Sequence, residues 1–291
     1  MQSWQNLGFT APERLVELAC AAEEAGMHGV SLPEHLVTPT TIATPNPYVA
    51  GGGSGYAAET PFIDPFVAFG ALSAVTTKLQ FLANVYVLPL RPLFVAAKSI
   101  SSAAVMSNDR LVLGVGIGWL REEFEAAGAR FVDRGARTDE MLSLLRDMLT
   151  GAPVAADSRH HRFREVRLAP VPAKPVPILV GGISDAALRR AARADGWIGV
   201  NFSEATLLPI LQRLRSARED AERDQAAPLD RPFAVVVSRP PDFDRALARR
   251  YASAGVTAMV NRPTAFSVGA DASRREHFDA MREFVDVLTH L

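Results

Sequence analysis

Short apolar segments alternate with longer amphipathic segments along most of this chain. The short segments resemble strands buried on both faces, and the longer ones repeat their apolar residues at helical spacing. Strands are predicted at residues 28–32, 79–88, 110–115, 176–180, 197–200, 233–238 and 257–260. This α/β alternation requires a parallel sheet covered by helices, which is either a closed barrel or an open doubly wound sheet.

The length of 291 residues and the even spacing of the units favour a (β/α)8 TIM barrel, formed by residues 1–291 as one domain. A barrel needs an eighth strand, which would have to lie within residues 1–9. That segment is short and only weakly strand-like. The helix over residues 15–25 is predicted to begin at a capping box, Thr10-Ala11-Pro12-Glu13.

Two segments interrupt the alternation. Residues 36–63 contain four prolines and the run Gly51-Gly52-Gly53-Ser54-Gly55. A long irregular segment of this kind is usually a functional lid or a disordered region. Residues 151–177 contain five prolines and are predicted to be an insertion, because the strand-helix alternation resumes directly after them.

The charge balance excludes some classes of partner. The 31 Lys and Arg residues nearly match the 32 Asp and Glu residues, so no basic surface for nucleic acid or anionic lipid is indicated. No stretch approaches the roughly 18 apolar residues of a membrane span, and we expect a cytoplasmic enzyme that acts on small molecules.

No metal site is predicted. Cys20 is the only cysteine, so neither an internal disulfide nor a cysteine cluster can form. His160 and His161 have no acidic or cysteine companions at metal-ligand spacing, and we expect them to be solvated loop residues. Arg137, Asp139 and Glu140 on a predicted helix are expected to form structural ion pairs.

Functional groups of a barrel gather in the loops that follow the strands. Glu34 and His35 directly follow the second strand position. His35 could transfer protons or hydrogen-bond a cofactor, with Glu34 orienting it, or it could simply pack in the loop. Asn84 and Tyr86 lie near the end of the next strand, where an amide pointing into a barrel needs a partner side chain or a ligand.

Two glycine-rich turns follow later strands. The first, Gly116-Ile117-Gly118 before Trp119, lacks the spacing of a dinucleotide fingerprint. It could let a planar ligand approach the backbone with Trp119 as a wall, or it could be a tight turn. The second, Gly181-Gly182-Ile183, precedes a helix whose free amide groups could bind phosphate.

Three blocks of sequence, residues 15–35, 84–128 and 177–197, resemble in order the bacterial-luciferase-like family of flavin and deazaflavin oxidoreductases. The resemblance runs over nearly the whole chain. The stretch LPEHLVTPTTIATPNPYVAGGG resembles the subgroup that uses the deazaflavin coenzyme F420 rather than FMN. The resemblance implies a luciferase-like barrel and a homodimer.

The resemblance also implies roles for individual residues. His35 would lie near the reactive face of the cofactor ring, with Glu34 as its support. Asn84-Val85 would form a non-proline cis peptide against the ring, and the backbone at Gly116 and Gly118 would lie along it. Gly181, Gly182 and Ile183 would hold the cofactor phosphate through backbone amides. Apart from the resemblance, we expect Trp119 and Tyr86 to face the substrate.

Two departures from the family pattern raise questions. The chain starts with MQSWQNL, which implies that the first strand is shortened or lost. Trp119 stands where many deazaflavin-dependent members have an acidic residue, so a proton donor cannot be assigned there.

The expected function is hydride transfer between F420 and a small organic substrate, with His35 handling a proton. One alternative is an FMN-dependent luciferase-like monooxygenase. Another is a barrel that binds a cofactor or ligand without turnover, which the two departures suggest.

Overall fold

Eight parallel strands close into a barrel in the computed structural model, which describes residues 1–49, 51–224, 232–289 and 291. The strands are β1 (Gln2–Asn6), β2 (Gly29–Leu32), β3 (Gln80–Val87), β4 (Leu111–Gly116), β5 (Val154–Asp157), β6 (Arg162–Val166), β7 (Ile178–Gly181), β8 (Gly196–Gly199), β9 (Ala234–Ser238) and β10 (Ala258–Asn261). All except β5 and β6 belong to the barrel, in the order β1-β10-β9-β8-β7-β4-β3-β2. The (β/α)8 barrel is confirmed, and the open sheet is excluded.

Helices follow the barrel strands along the chain. In the described residues they are α1 (Leu15–Glu24), α2 (Pro65–Val75), α3 (Leu93–Met106), α4 (Arg121–Ala126), α5 (Arg134–Met148), α6 (Asp185–Ala192), α7 (Glu204–Asp224), α8 (Arg245–Ser253), α9 (Ala265–Val268) and α10 (Arg274–Thr289). The predicted capping box before α1 is wrong. A 3-10 turn, Pro12–Arg14, leads into α1, and no side chain caps either segment.

The strand nearest the amino terminus completes the barrel. We expected it to be shortened or lost, but β1 has five residues and pairs in parallel with both β10 and β2. Its polar residues concealed it in the sequence. Gln5 is fully buried, and its side chain accepts a hydrogen bond of 2.9 Å from Asn261 and donates one of 3.1 Å to the carbonyl of Arg262. The wall of the barrel at this end is therefore in place.

The two interrupting segments have different structures. Within the described part of residues 36–63 there is no helix or strand. Residues 151–177 contain the antiparallel hairpin β5–β6. The expectation of solvated histidines in this insertion is wrong. The side chains of His160 and His161 are 8% and 12% exposed, and Glu140 of α5 accepts hydrogen bonds from the His160 amide and the Ser158 hydroxyl and lies 3.3 Å from His161 Nδ1.

The expected ion pairs on α5 are confirmed. Arg137 pairs with Asp133, and Asp139 pairs with Arg190 of α6. The second pair ties neighbouring helices together on the outside of the barrel. No described helix is long and apolar enough to cross a membrane.

The strands carry two apolar layers. One buried cluster draws its members from the barrel strands alone, so it fills the barrel interior, and it comprises Trp4, Leu82, Val112, Leu179, Ile198, Val236, Ala258 and Val260. A larger cluster joins the outer strand faces to the helices. Strand β3 departs from strict alternation, because its pairing with β4 shifts in register between Ala83 and Tyr86. The shift places two successive residues, Asn84 and Val85, toward the same cavity.

Candidate active site

A cavity of about 350 Å³ opens at the carboxyl ends of β2, β3, β4, β7 and β8. Functional sites of this fold occupy that end of the barrel. All of the predicted site residues except Tyr86 line it, namely Glu34, His35, Asn84, Val85, Gly116, Gly118, Trp119, Gly181, Gly182 and Ile183. Residues distant in sequence thus meet in one place.

Tyr86 does not belong to this site, and its predicted role toward substrate is wrong. It is 1% exposed, and its ring packs against Phe66 of α2 at 4.8 Å between ring centroids. The guanidinium of Arg91 covers its face at 4.3 Å. The register shift in β3 directs Asn84 and Val85 to the cavity and Tyr86 to the helix layer.

His35 is held by a carboxylate that sequence reasoning did not identify. Its Nδ1 lies 3.0 Å from Glu123 Oε2, and the other oxygen of Glu123 accepts a 2.6 Å hydrogen bond from the Leu36 amide. Aromatic rings enclose the imidazole, with Tyr56 at 4.8 Å and Phe62 at 4.9 Å. Among the described residues, no group is hydrogen-bonded to His35 Nε2, which is the nitrogen left for a ligand.

Glu34 has a different partner from the one expected. Its carboxylate receives two hydrogen bonds from Arg91, one of them 2.7 Å long, and another of 2.6 Å from the Val87 amide. The prediction that Glu34 orients His35 is therefore wrong. Burial raises the pKa of Glu34, while Arg91 and the Val87 amide oppose that shift. All three hydrogen bonds favour the ionised form of Glu34. Because their donors are Val87 and Arg91, they also tie the loop after β2 to the end of β3.

Asn84 and Val85 lie on the floor of the cavity, and the peptide between them is cis, as the resemblance implied. Val85 fits against two glycines that we call the glycine notch, Gly116 and Gly181. A Cβ atom on Gly116 would lie 2.6 Å from Val85 Cγ2, and one on Gly181 would lie 3.3 Å from Val85 Cγ1. The glycine notch thus makes room for a side chain of the protein itself.

Another part of the cavity wall meets the amino terminus of α6. Ser184 caps this helix by accepting a hydrogen bond from the Ala187 amide. Gly182 has a φ of +116°, and a Cβ there would lie 2.8 Å from Ala187, so glycine is required for both reasons. Arg134 also lines the cavity, and its guanidinium donates to the carbonyls of Gly118 and Phe131 at 2.9 and 3.1 Å.

The segment 36–63 supplies the roof. Pro47 and Tyr48 line the cavity, and burial raises the pKa of Tyr48. The Tyr48 carbonyl accepts a 3.5 Å hydrogen bond from Asn201, which follows β8. On the other side, Glu122 of α4 accepts hydrogen bonds of 2.8 and 2.9 Å from the amides of residues 43 and 44. The segment therefore crosses the mouth and is attached on both sides.

The model for luciferase-like monooxygenases matches residues 2–285 of the chain. The chain belongs to this family. An uncharacterised protein of Mycobacterium tuberculosis is 35% identical to this luciferase-like chain over 245 residues, which cover 84% of the chain and 83% of the relative. A protein of Gordonia bronchialis named F420-dependent glucose-6-phosphate dehydrogenase is 30% identical over 262 residues, covering 83% and 70%.

Solved structures with low sequence identity share the luciferase-like fold. A monooxygenase from Streptomyces bottropensis superposes with a TM-score of 0.75 at 20% identity, covering 99% of this chain and 98% of the other. An F420-dependent secondary alcohol dehydrogenase, solved with an F420-acetone adduct, gives a TM-score of 0.74 at 16% identity with the same coverage. Proteins of this fold therefore include one named for deazaflavin chemistry and one named for oxygenation.

The cavity residues of this luciferase-like chain fit a planar, phosphate-bearing cofactor. Asn84 Oδ1 is buried and accepts no hydrogen bond in the described structure, so it can accept one from a ring N–H. The glycine turns expose backbone along one side, and the α6 terminus offers amides to an anion. No cluster of His, Cys, Asp or Glu in the described residues could hold a metal ion.

Glu123, Arg91, Arg134 and Tyr48 were not identified from the sequence. One signal was available for Glu123. The resemblance places an acidic residue after the first glycine turn, where Trp119 stands, and the acid that reaches His35 comes four residues later. The other three carried no signal, because their positions depend on how the loops fold over the barrel.

Proposed function

We propose that this chain is an oxidoreductase that transfers a hydride between coenzyme F420 and a small organic substrate. The observation that carries the proposal is His35, fixed through Nδ1 by Glu123 and free at Nε2 on the edge of the cavity. The relative named as an F420-dependent dehydrogenase, at 30% identity, supports the choice of F420.

The cavity residues divide between binding and proton handling. Val85 and the backbone at Gly116 and Gly118 would contact the cofactor ring, with Asn84 accepting a hydrogen bond from it. Gly181, Gly182 and Ile183 would bind the phosphate through their amides, and Arg213 donates a hydrogen bond to the Ile183 carbonyl at this end. When bound, F420 supplies a two-electron hydride donor or acceptor that reacts poorly with oxygen.

His35 would donate or accept the substrate proton at Nε2. The contact between Nδ1 and Glu123 fixes the plane of the ring and leaves Nε2 directed away from the carboxylate. Three aromatic neighbours, Tyr56, Phe62 and Trp119, limit rotation and keep water from the ring. Trp119 would stand beside the substrate as a wall of the cavity.

FMN-dependent monooxygenation is the second candidate. Its support is the fold shared with a monooxygenase. A non-catalytic barrel was suggested by the first strand and by Trp119. However, β1 closes the barrel, and Glu123 supplies a carboxylate beside His35 that Trp119 cannot supply.

Anaerobic titration of the purified protein with F420 and with FMN tests the cofactor. Quenching of cofactor fluorescence gives each Kd, and we expect the Kd for F420 to be the lower. A clear preference for FMN would replace the first candidate with the second. Failure of both cofactors to bind would contradict the proposal and favour the ligand-binding barrel.

Replacement of His35 tests its role. We expect His35→Ala to slow single-turnover hydride transfer by roughly 100-fold or more, which is typical for loss of a positioned acid or base, with little change in the Kd of the cofactor. Tyr56→Phe is the matched control, since it keeps the ring that packs on His35. Equal losses in rate and affinity for His35→Ala would make His35 a binding residue instead.

A further inference from the structure

Among the described cavity-lining residues, the charged side chains that adjoin His35 are the carboxylates of Glu34 and Glu123. Glu34 is neutralised by Arg91 in a pair with side chains 1% and 9% exposed. Glu123, 2% exposed, faces His35, and its negative charge together with burial raises the pKa of the neighbouring Tyr56. An anion placed here would meet the same repulsion.

Arg134 is the one Lys or Arg side chain among the cavity-lining residues that the structure describes. Its guanidinium stacks on Phe131 at 3.7 Å and donates to two backbone carbonyls. These contacts hold the guanidinium on the protein itself, against the Phe131 ring and the backbone of the loops that flank α4.

The surfaces near His35 are apolar. Trp119 stands edge-on to the imidazole at 6.2 Å, Pro33 precedes Glu34, and Pro47 closes the roof. Within the described part of the chain, neither His35 Nε2 nor the Tyr48 hydroxyl has a hydrogen-bond partner, and both residues line the cavity. Such a pocket suits a molecule with an apolar body and one oxygen function.

We infer that the substrate is a neutral, largely apolar alcohol or carbonyl compound and not a phosphorylated sugar. The inference rests on the proposed function, because it assigns the α6 end to the cofactor phosphate. It distinguishes this chain from the relative named for glucose 6-phosphate, to which it is 30% identical.

Equilibrium binding tests the inference without turnover. Cyclohexanol and glucose 6-phosphate are titrated by calorimetry into protein saturated with oxidised F420, and separately into cofactor-free protein with inorganic phosphate present to occupy the α6 end. We expect cyclohexanol to bind at least about tenfold more tightly in both forms, with an affinity that salt does not reduce. Equal or tighter binding of glucose 6-phosphate would overturn the inference.

A charge introduced beside His35 provides the second measurement. Trp119→Lys should raise the affinity for glucose 6-phosphate by about tenfold at low salt and lower that for cyclohexanol, whereas the control Trp119→Leu should keep the preference of the parent protein. If Trp119→Lys leaves both affinities unchanged, Trp119 does not face the substrate and the inference fails. Failure of F420 to bind would instead contradict the proposed function, while the cofactor-free titration would still compare the two ligands.

Discussion

Replacing Gly116 with alanine tests whether the glycine notch exists to accommodate Val85. The backbone of Gly116 has no positive φ, so alanine is conformationally allowed and the steric overlap, 2.6 Å to Val85 Cγ2, is the only obstacle. Overpacking of this kind costs about 1–3 kcal/mol. The smaller entropy of the unfolded alanine chain returns about 0.4–1 kcal/mol. We therefore expect a net loss of about 1–2 kcal/mol in the free energy of unfolding.

Gly181 provides a graded control on the other side of Val85. Its missing Cβ would lie 3.3 Å away, a contact that a small shift can relieve, and we expect Gly181→Ala to change stability by less than about 0.5 kcal/mol. Val85→Ala removes the methyl groups that cause the overlap. The double variant Gly116→Ala/Val85→Ala should be more stable than the sum of the single changes by about 1–2 kcal/mol.

Urea denaturation followed by tryptophan fluorescence measures the four variants and the parent protein, provided that the slope of the transition is unchanged. Strict additivity of the Gly116 and Val85 effects would refute the steric account of the glycine notch. So would an equal loss for Gly116→Ala and Gly181→Ala. A cofactor titration of the same proteins would then show whether the variants that lose stability also lose affinity for the cofactor.

Three further predictions concern the carboxylates around the site. Glu123→Gln should slow turnover by roughly 10- to 100-fold and leave cofactor affinity unchanged, because His35 loses its charged partner while its ring stays in position. A loss of cofactor affinity without a loss of rate would contradict this prediction. Hydrogen bonds from Thr44 and Ala43 outweigh burial and lower the pKa of Glu122 to about 2. The stabilisation is therefore present above the ordinary pKa of 4.5 and is lost as pH falls toward 2, so the protection factors of these two amides, which compare their exchange with that of the unfolded chain at the same pH, should fall over that window. Arg91→Met would leave a buried carboxylate unpaired and should cost about 3–5 kcal/mol of unfolding free energy, whereas a cost below 1 kcal/mol would contradict the buried pair.

Sequence patterns sufficed for the barrel because strands buried on both faces must be apolar. They failed for β1, where Gln5 is buried but satisfied by Asn261, a partner 256 residues away in the chain. A hydrogen bond between distant residues leaves no local trace. The hairpin β5–β6 was likewise predicted only as an insertion, since its pairing depends on packing against α5 rather than on periodicity.

The candidate site was predictable where function depends on backbone position. The residues after β2, β4 and β7 meet because parallel strands end at the same face of the barrel. Two errors arose from side-chain direction. Tyr86 was assigned to the cavity although the register shift turns it outward, and Glu34 was paired with its sequence neighbour although Arg91 lies within reach. The direction in which a side chain points depends on tertiary contacts, and a single sequence does not reveal these contacts.

The attachment of residues 36–63 on both sides of the mouth also has a kinetic consequence. We expect the entry and exit of a ligand to be faster when Glu122 releases the amides at 43 and 44 or Asn201 releases Tyr48. The residence time of a ligand is then governed by contacts that the ligand does not touch. Substitutions at these attachments would alter association and dissociation rates together and leave the equilibrium preference among ligands nearly unchanged.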